Sequence, residues 1–287
     1  MPKISIILPT YNVEPYIERA LQSCINQTFK DIEIIVVDDC GNDKSIDIAK
    51  EYAKKDERIK IVHNEKNLGT FASRNIGVLN SNSEFVIFLD PDDYLELNAC
   101  EVCLVNIKGN NLLQFGCKKN ENNEISFLKI KDYNEFKKNI NQFYYMPWNL
   151  CFLIVKKDFF IERIQKIDRR FVYAEDMLVY ISLVNEKMIF IEDCLYNYII
   201  RKSSICKEND QKYDIYLEDL NFILEMIEKM NLKKNILRYY SYFIKMNIYQ
   251  FLYKSHKISY LKYKFLKKKE KAKKIYYILL SKIKKIK

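Results

Sequence analysis

The sequence predicts an α/β fold, in which helices flank a mostly parallel sheet and a basic helical extension follows at the C-terminal end. First, short apolar runs alternate with segments of helical periodicity over the first 95 of the 287 residues. Second, these runs are too apolar for strands with an exposed face, which is typical of parallel sheets covered on both sides. Third, glycine and proline are absent after Tyr213, where lysines accumulate.

Four strands and three helices are predicted in this first part of the chain. Short links between the elements favour right-handed crossovers between parallel strands. Asn42 and Asp43 are suited to cap the second helix, because their side chains accept hydrogen bonds from its first backbone N–H groups. The predicted strands cover residues 4–8, 32–37, 59–63 and 85–89, and the helices cover residues 13–27, 42 to about 55, and 70 to about 79.

A polar loop follows each predicted strand. Because the carboxyl ends of parallel strands meet at one edge of a sheet, where open α/β sheets bind their ligands, the four loops are expected to line one crevice. These loops are residues 9–12, 38–41, 67–69 and 90–93.

The last of these loops places Asp90, Asp92 and Asp93 directly after the fourth strand. Three carboxylates within four residues repel each other unless a cation joins them, and their hard oxygen ligands suit Mg²⁺ or Mn²⁺ shared with substrate phosphates. The alternative is a polar turn, with Pro91 and Asp93 as turn-forming and capping residues. The buried strand in front of the loop favours the metal site.

The remainder of the chain is less regular until residue 213. A helix is predicted over residues 95–106, and strands over residues 112–117, 150–155, 188–191 and 195–200. Glu175 and Asp176 open a predicted helix that ends near residue 184. Acidic residues are favoured in a first helical turn by the helix dipole alone, so the pair has both a structural and a functional interpretation.

Composition narrows the classes of protein that fit. With only two histidines, His63 and His256, a histidine-rich zinc site is excluded and the base of an enzyme is expected to be a carboxylate. The eight cysteines are scattered, which predicts packed thiols in a reducing compartment. The sequence has neither an apolar run of about 18 residues nor a leader ahead of the first strand. A cytoplasmic protein is therefore expected.

The positive charge is concentrated at the C-terminal end. Residues 254–287 hold fourteen lysines and one glutamate, a net charge of +13, whereas the whole chain carries +10. Residues 1–253 are therefore slightly acidic, at −3. Tyrosine, leucine and isoleucine lie between the lysines, a pattern that favours attachment to an anionic membrane surface. A solvated tail and nucleic-acid binding are the alternatives.

Five motifs appear in order: ISIILPTYN at residues 4–12, VVDDCG at 36–41, NLG at 67–69 with SRN at 73–75, FLDPDD at 88–93, and ED at 175–176. Together they resemble the inverting nucleotide-sugar glycosyltransferases of family 2, which have the GT-A fold, a Rossmann-like, mostly parallel sheet. The first seventy residues are similar to bacterial lipooligosaccharide β-1,3-galactosyltransferases. The resemblance implies a nucleotide-sugar-binding half (residues 1–100), an acceptor-binding half (101–210) and a helical region with a membrane-associating tail (211–287).

The resemblance also implies a role for particular residues. Asp176 is expected to be the general base, and Asp92 with Asp90 to bind Mn²⁺ or Mg²⁺, with Asp93 in support. Cys40 departs from the family pattern, in which Gly or Ser is usual. Glu175 and Trp148 are expected near the acceptor. Arg74 is expected either near the diphosphate or as a brace for the acidic cluster. The other expected nucleotide-sugar-binding residues are Pro9, Thr10 and Tyr11 at the uracil and ribose, Asp39 at the base, Asp90 at the ribose, Arg201 at the diphosphate, and Asp38, Asn67 and Gly69.

The activity implied by the resemblance is transfer of a hexose, galactose from UDP-galactose foremost, to a cell-surface glycolipid such as lipooligosaccharide, with formation of a β-glycoside. UDP-glucose or a UDP-N-acetylhexosamine, used for a capsule or a protein glycan, is an alternative. The enzyme is expected at the inner face of the cell membrane. More distant alternatives are a sugar-phosphate nucleotidyltransferase, which usually carries a glycine-rich loop where this chain has PTYN, and a non-catalytic lipid-binding adaptor.

Overall fold

The computed structural model describes residues 2–121, 124–142, 144, 149–164, 167, 169–184, 186–200 and 212–283. The chain divides into two compact units. The first comprises Met1–Tyr133, Pro147–Phe171 and Glu186–Lys202, and the second comprises Asn134–Met146, Val172–Asn185 and Ser203–Lys287.

The first unit contains one mixed sheet. Within the described residues its strands are β1 (Ile4–Thr10), β2 (Ile32–Asp38), β3 (Ile59–His63), β4 (Phe85–Phe88), β5 (Tyr94–Leu95), β6 (Leu112–Glu121), β7 (Glu124–Leu128), β8 (Leu153–Lys156) and β9 (Ile189–Ile199). Neighbouring strands follow the order β3-β2-β1-β4-β8-β6-β9-β5, and β7 pairs with β6. The predicted α/β class, with helices flanking a central sheet, is confirmed.

The parallel half of the sheet consists of β1 to β4, as predicted. β1 pairs in parallel with β2 and β4, and β2 pairs in parallel with β3. All of β4 and residues 32–37 of β2 are buried, as expected for strands covered on both faces. The connecting helices are α1 (Ile17–Ile25), α2 (Ser45–Ala53) and α3 (Thr70–Leu79), while α4 (Ala99–Ile107) and α6 (Lys157–Ile164) belong to the remainder of the unit.

Helix α3 lies unusually close to the sheet at Gly77. A Cβ atom built on Gly77 would overlap Cγ2 of Ile7 and would approach Cγ2 of Val37 to 3.2 Å. A residue without a side chain is therefore required for this approach. Arg74 lies on the same helix, three residues earlier, and is also buried.

The N-terminal ends of the parallel strands are joined by the buried carboxylate of Glu33. It accepts hydrogen bonds from Ser5 Oγ on β1 at 2.6 Å, from Lys60 Nζ on β3 at 2.6 Å, and from the backbone N–H of Asn82 at 2.5 Å. Burial opposes ionisation, but these hydrogen bonds and the charge of Lys60 outweigh it, so the pKa of Glu33 is lower than its usual 4.5.

The second half of the sheet differs from the predicted elements. The strands predicted at residues 188–191 and 195–200 form the single strand β9, because the exposed Glu192 and Asp193 continue the extended backbone. The strand predicted at residues 150–155 begins as a 3₁₀ turn, Leu150–Phe152, which is capped by the side chain of Asn149. The sequence pattern predicts neither β7 nor α6.

The second unit is helical in its described residues. Its helices are α5 (Tyr133–Gln142, whose first residue belongs to the first unit), α7 (Glu175–Leu183), α8 (Tyr213–Lys229), α9 (Lys234–Lys254) and α10 (Tyr260–Ile283). Helix α7 is buried from Met177 onward. An aromatic cluster includes Tyr173, which lies just before α7. The ring centroid of Tyr173 is 4.8 Å from that of Tyr216 and 5.3 Å from that of Phe251.

Helix α10 carries most of the basic tail. Residues 260–283 include nine lysines and one glutamate. Among its described side chains, five large apolar or aromatic ones are more than half exposed: Tyr260 (51%), Leu261 (78%), Phe265 (67%), Ile275 (59%) and Tyr276 (59%). Each helix in the described part of the chain is too short or too polar to span a lipid bilayer.

Candidate functional site

Three strands of the first unit bring polar residues together at the edge of the sheet. The strand register pairs Thr10 at the end of β1 with Asp38 at the end of β2, and Asp38 with His63 at the end of β3. His63 Nδ1 lies 2.8 Å from Asp38 Oδ2, and Asp38 Oδ1 accepts the backbone N–H of Cys40 at 3.0 Å. The ends of β1, β2 and β3, from which the first three predicted loops start, therefore lie side by side, and those of β2 and β3 are in direct side-chain contact.

Asp39 faces inward and organises the loop that follows β3. Its carboxylate is buried and accepts hydrogen bonds from Asn64 Nδ2 at 2.8 Å, from the backbone N–H of Leu68 at 2.7 Å and from that of Gly69 at 2.9 Å. These bonds fix the turn in front of helix α3. A contact between Asp39 and the nucleotide base stays a prediction.

Gly69 and Asn67 have distinct roles in this turn. Gly69 has a φ of +88°, a conformation in which side chains are disfavoured, and it immediately precedes α3. Asn67 donates to the carbonyl of Asp39 at 3.3 Å and accepts from Arg170 Nη2 at 2.6 Å. The exposed guanidinium of Arg170 therefore lies over the turn that Asp39 holds in place.

The PTY segment closes β1. Thr10 is buried and its hydroxyl donates to the carbonyl of Leu8 at 3.0 Å, whereas Pro9 is half-buried and Tyr11 is exposed. Asn12 has a φ of +52°, and its side chain accepts the backbone N–H of Asn42 at 2.8 Å. Of the three predicted nucleotide contacts, Tyr11 presents the most side-chain surface.

Arg74 and Asp90 form an ion pair in the first unit. Arg74 Nη2 lies 2.7 Å from Asp90 Oδ1, and the arginine side chain is 3% exposed while that of Asp90 is 27% exposed. Arg74 also donates to Cys151 Sγ at 3.6 Å. This geometry matches the bracing role that was one of the two expected for Arg74; contact with a diphosphate stays a prediction.

Asp93 ties the acidic loop to strand β9. Its buried carboxylate accepts the hydroxyl of Tyr196 at 2.7 Å and the backbone N–H of Ile199 at 2.7 Å, and the Tyr196 hydroxyl accepts the backbone N–H of Asp90. Burial, followed by the negative charges of Asp92 and Asp90, raises the pKa of Asp93 to about 8. Asp93 therefore stabilises the acidic loop through buried hydrogen bonds to β9.

Asp90 and Asp92 are the carboxylates of this loop that retain surface exposure. Within the described residues, no group of three or more His, Cys, Asp or Glu side chains is placed to hold a metal ion. Mg²⁺ and Mn²⁺ are commonly bound through one or two carboxylates together with substrate phosphates and water. The donor set therefore fits a cation that binds together with a phosphate-bearing ligand.

Glu175 and Asp176 lie in the second unit, in the first turn of α7, and both are half-buried. The residue before them, Ala174, has a φ of +61°, and its carbonyl accepts the backbone N–H groups of Met177 and Leu178. Two other predicted site residues, Trp148 and Arg201, lie outside the described residues.

Three contacts at these loops were not predicted from the sequence. Asn64 holds Asp39, and its position directly after β3 is the signal that could have identified it. Tyr196 holds Asp93 across 103 residues of sequence, and Arg170 contacts Asn67 across a similar separation. No local pattern identifies these two, because their partners are distant in sequence.

Comparison with known proteins agrees with this architecture. The profile described as "Glycosyl transferase family 2" matches residues 5–160, more than half of the chain. The chain is 30% identical over 286 residues to the GalNAc(5)-diNAcBac-PP-undecaprenol beta-1,3-glucosyltransferase of Campylobacter jejuni, covering 88% of this chain and 87% of that protein.

Two further proteins are similar to this chain, one over part of its length and one mainly in structure. The chain is 42% identical over 101 residues to an uncharacterized glycosyltransferase of Haemophilus influenzae, and this match spans only 40% of that relative. The crystal structure of S. aureus TarS 1-349 in complex with UDP-GlcNAc matches 90% of this chain and 73% of that chain, with a TM-score of 0.66 and 21% identity.

The TarS likeness shows a shared fold, of the GT-A type expected above. The narrower resemblance to β-1,3-galactosyltransferases stays a prediction. From its family match and its full-length similarity to the Campylobacter jejuni enzyme, the chain belongs to glycosyl transferase family 2.

Proposed function

We propose that the protein transfers a hexose from a UDP-sugar to a glycolipid acceptor, with inversion at the anomeric carbon and with Mn²⁺ or Mg²⁺ as cofactor. The observation that carries this proposal is the bonded arrangement at the carboxyl ends of β1 to β3. There Asp39 fixes the Asn67–Gly69 turn, and Asp38 and Tyr11 keep exposed surface for a ligand. We assign nucleotide-sugar binding to residues 1–100 and acceptor binding to residues 101–210.

The proposed chemistry divides between a leaving group and an attacking group. The bond between the anomeric carbon and the diphosphate breaks, and UDP leaves with the electron pair. Asp90 and Asp92 would hold the cation, which supplies positive charge against the diphosphate. Pro9, Thr10 and Tyr11 would contact the uridine, and Arg201 would contact the diphosphate.

The acceptor hydroxyl must lose a proton as its oxygen bonds to the anomeric carbon. We assign the general base to Asp176, whose carboxylate would take that proton, and we place Glu175 and Trp148 near the acceptor. General-base catalysis typically contributes about 10²–10⁴-fold to the rate. Direct displacement converts an α-linked donor sugar into a β-glycoside.

Galactose is our first choice of donor sugar, and lipooligosaccharide is our first choice of acceptor. Glucose and N-acetylhexosamines are the alternatives, and the name of the Campylobacter jejuni relative specifies glucosyl transfer to an undecaprenol-linked glycan. That name also supports a lipid-linked acceptor for this chain. We place the enzyme on the inner face of the cell membrane.

A donor-hydrolysis screen tests the proposal. The protein is incubated with Mn²⁺ and a panel of UDP-, GDP- and TDP-sugars, and free nucleotide is measured with and without EDTA and with glycolipid acceptors. We expect UDP release from one sugar, abolished by EDTA. Asp176→Asn should reduce transfer by about 10²–10⁴-fold while UDP binding is retained.

Glu225→Gln is a suitable control, because Glu225 is a carboxylate on α8 to which we assign no role in the reaction. Its rate should equal that of the wild type. Nucleotide release that is unaffected by EDTA would refute the metal requirement, and wild-type rates in Asp176→Asn would refute the assigned base. No transfer from any donor to any acceptor would refute the proposed function.

We also propose that α10 attaches the protein to an anionic lipid surface. Its nine lysines and the exposed Leu261, Phe265, Ile275 and Tyr276 combine positive charge with apolar surface, which is the composition of interfacial helices. At roughly 1 kcal/mol per basic residue near an anionic membrane, several lysines are enough for recruitment.

A further inference from the structure

The segment that leads into Glu175 and Asp176 is anchored by a side chain from a distant part of the second unit. Asp219, on α8, is 1% exposed. Its Oδ2 atom accepts the backbone N–H of Val172 at 2.9 Å and that of Tyr173 at 3.1 Å. One buried carboxylate oxygen therefore fixes two successive peptide groups ahead of α7.

The same face of α8 also holds the side chain of this segment. Tyr216 precedes Asp219 by three residues, so the two side chains lie on one helical face. The ring of Tyr173 packs on Tyr216 at 4.8 Å and on Phe251 of α9 at 5.3 Å. Backbone and side chain of residue 173 are thus held by the same neighbouring helix.

Between this anchor and the acidic pair lies Ala174 in a left-handed conformation, with a φ of +61° and a ψ of +20°. A residue other than glycine is disfavoured in that conformation, so surrounding contacts must maintain it. The Asp219 bonds lie on one side of Ala174, and its carbonyl accepts the first hydrogen bonds of α7 on the other side. The direction of the first turn of α7 follows from this arrangement.

We propose that Asp219 is a positioning residue for Asp176: by anchoring residues 172 and 173, it orients the helical turn that carries the general base. This inference rests on the proposed function, because it requires Asp176 to act as that base. A displacement of about 1 Å in a reacting group can cost on the order of 100-fold in rate. Loss of the anchor should therefore lower kcat while leaving nucleotide binding intact.

The first experiment measures kcat per UDP-binding site, with the number of sites and the Kd for UDP obtained by calorimetry. Asp219→Ala is expected to lower kcat by about 10- to 100-fold with the Kd for UDP unchanged. Asp219→Asn keeps an acceptor oxygen and should recover most of the rate. Glu218→Ala, which removes the adjacent exposed carboxylate of α8, should match the wild type.

A double variant distinguishes positioning from general destabilisation. If Asp219 acts through Asp176, then adding Asp219→Ala to Asp176→Asn should lower the residual rate by less than about 3-fold, since the residue being positioned is already disabled. Fully additive losses, or a wild-type kcat per UDP-binding site in Asp219→Ala, would overturn the proposal.

Hydrogen exchange tests the anchor independently of activity. The backbone amides of Val172 and Tyr173 should exchange faster in Asp219→Ala than in Glu218→Ala. Unchanged exchange would overturn the anchor itself. Faster exchange in a protein whose wild type transfers no sugar would instead refute the proposed function, and the catalytic role of Asp219 with it, while the anchor would stand.

Discussion

At the scale of single residues, two pairs of adjacent aspartates follow the same rule. In Asp38-Asp39 and in Asp92-Asp93 the second carboxylate is buried and accepts backbone N–H groups, whereas the first keeps surface exposure. The inward carboxylates hold the loops, and the outward ones reach the surface, where Asp38 also contacts His63 and the backbone N–H of Cys40. Sequence alone does not distinguish the members of such a pair.

This rule predicts that substitution of Asp93 mainly lowers stability, whereas substitution of Asp92 mainly lowers activity. Asp93→Ala leaves the buried N–H of Ile199 and the hydroxyl of Tyr196 without their acceptor, so the free energy of unfolding should fall by about 2–3 kcal/mol. Asp92→Ala should change it by less than about 1 kcal/mol and should abolish transfer. Urea unfolding followed by circular dichroism measures both. Equal destabilisation by the two variants would contradict the assignment.

Asp90 and Asp92, the two partly exposed carboxylates of the acidic loop, also predict how a cation binds. Among the described residues no third His, Cys, Asp or Glu joins them in a metal-binding group, so they should bind Mn²⁺ weakly, and a nucleotide diphosphate should supply the missing oxygens. In calorimetric titrations we expect at least about 10-fold tighter Mn²⁺ binding with UDP present than without it. Asp92→Asn should remove that enhancement. Tight Mn²⁺ binding to the protein alone would argue against a shared site.

At the scale of elements, the parallel strands are fastened at both ends by buried aspartate and glutamate side chains. Asp39 and Asp93 hold the loops at the carboxyl ends, and Glu33 joins β1, β3 and the approach to β4 at the opposite ends. Glu33 is far along the strands from the candidate site, so its effect should be confined to stability.

The Glu33 cluster predicts a pH dependence of stability. The pKa of Glu33 is lower in the folded protein than its usual 4.5, so its stabilising contribution is complete above that value and is lost as pH falls through the folded-state pKa. Glu33→Gln should flatten the decline of the unfolding free energy between about pH 5 and pH 3. Glu84→Gln, which alters the exposed pair with Lys3, is the control and should leave that decline unchanged.

How far the sequence predicts the structure varies along the chain for physical reasons. Runs such as IIVV (residues 34–37) and FVIF (residues 85–88) are apolar on both faces, and helices alternate with them, so the parallel half of the sheet is determined by local pattern. The sequence pattern predicts two strands where the structure has β9 alone, because the adjacent Glu192 and Asp193 interrupt its apolar residues. Local pattern does not identify Asp219, Tyr196 and Arg170, because their partners lie 46 to 106 residues away.

At the scale of the whole molecule, charge is separated along the chain. Residues 1–253 carry −3, while residues 254–287 carry +13, and on α10 the lysines are interspersed with exposed apolar side chains. An acidic body should be repelled by an anionic surface, so binding to such a surface is expected to depend on the tail.

Vesicle sedimentation tests that expectation. The protein should bind vesicles that contain phosphatidylglycerol and should not bind pure phosphatidylcholine. Binding should weaken between about 0.1 M and about 1 M salt, as the Debye length falls from about 10 Å to about 3 Å. Phe265→Ser should reduce binding by about 30-fold, because it removes about 2 kcal/mol of apolar contact. Phe127→Ser, which changes a similarly exposed phenylalanine on β7, should leave vesicle binding unchanged. Equal effects of the two variants would exclude α10 as the lipid contact.

The close approach of α3 to β1 has a consequence for how this sequence can vary. Because Gly77 faces Ile7 with no room for a methyl group, the two positions form one steric pair. Gly77→Ala alone should cost about 1–3 kcal/mol, whereas the same change made together with Ile7→Ala should cost less than the sum of the two single changes. Substitutions at residues 7 and 77 are therefore expected to be coupled, and because Arg74 lies on the same helix, that coupling would extend to its ion pair with Asp90.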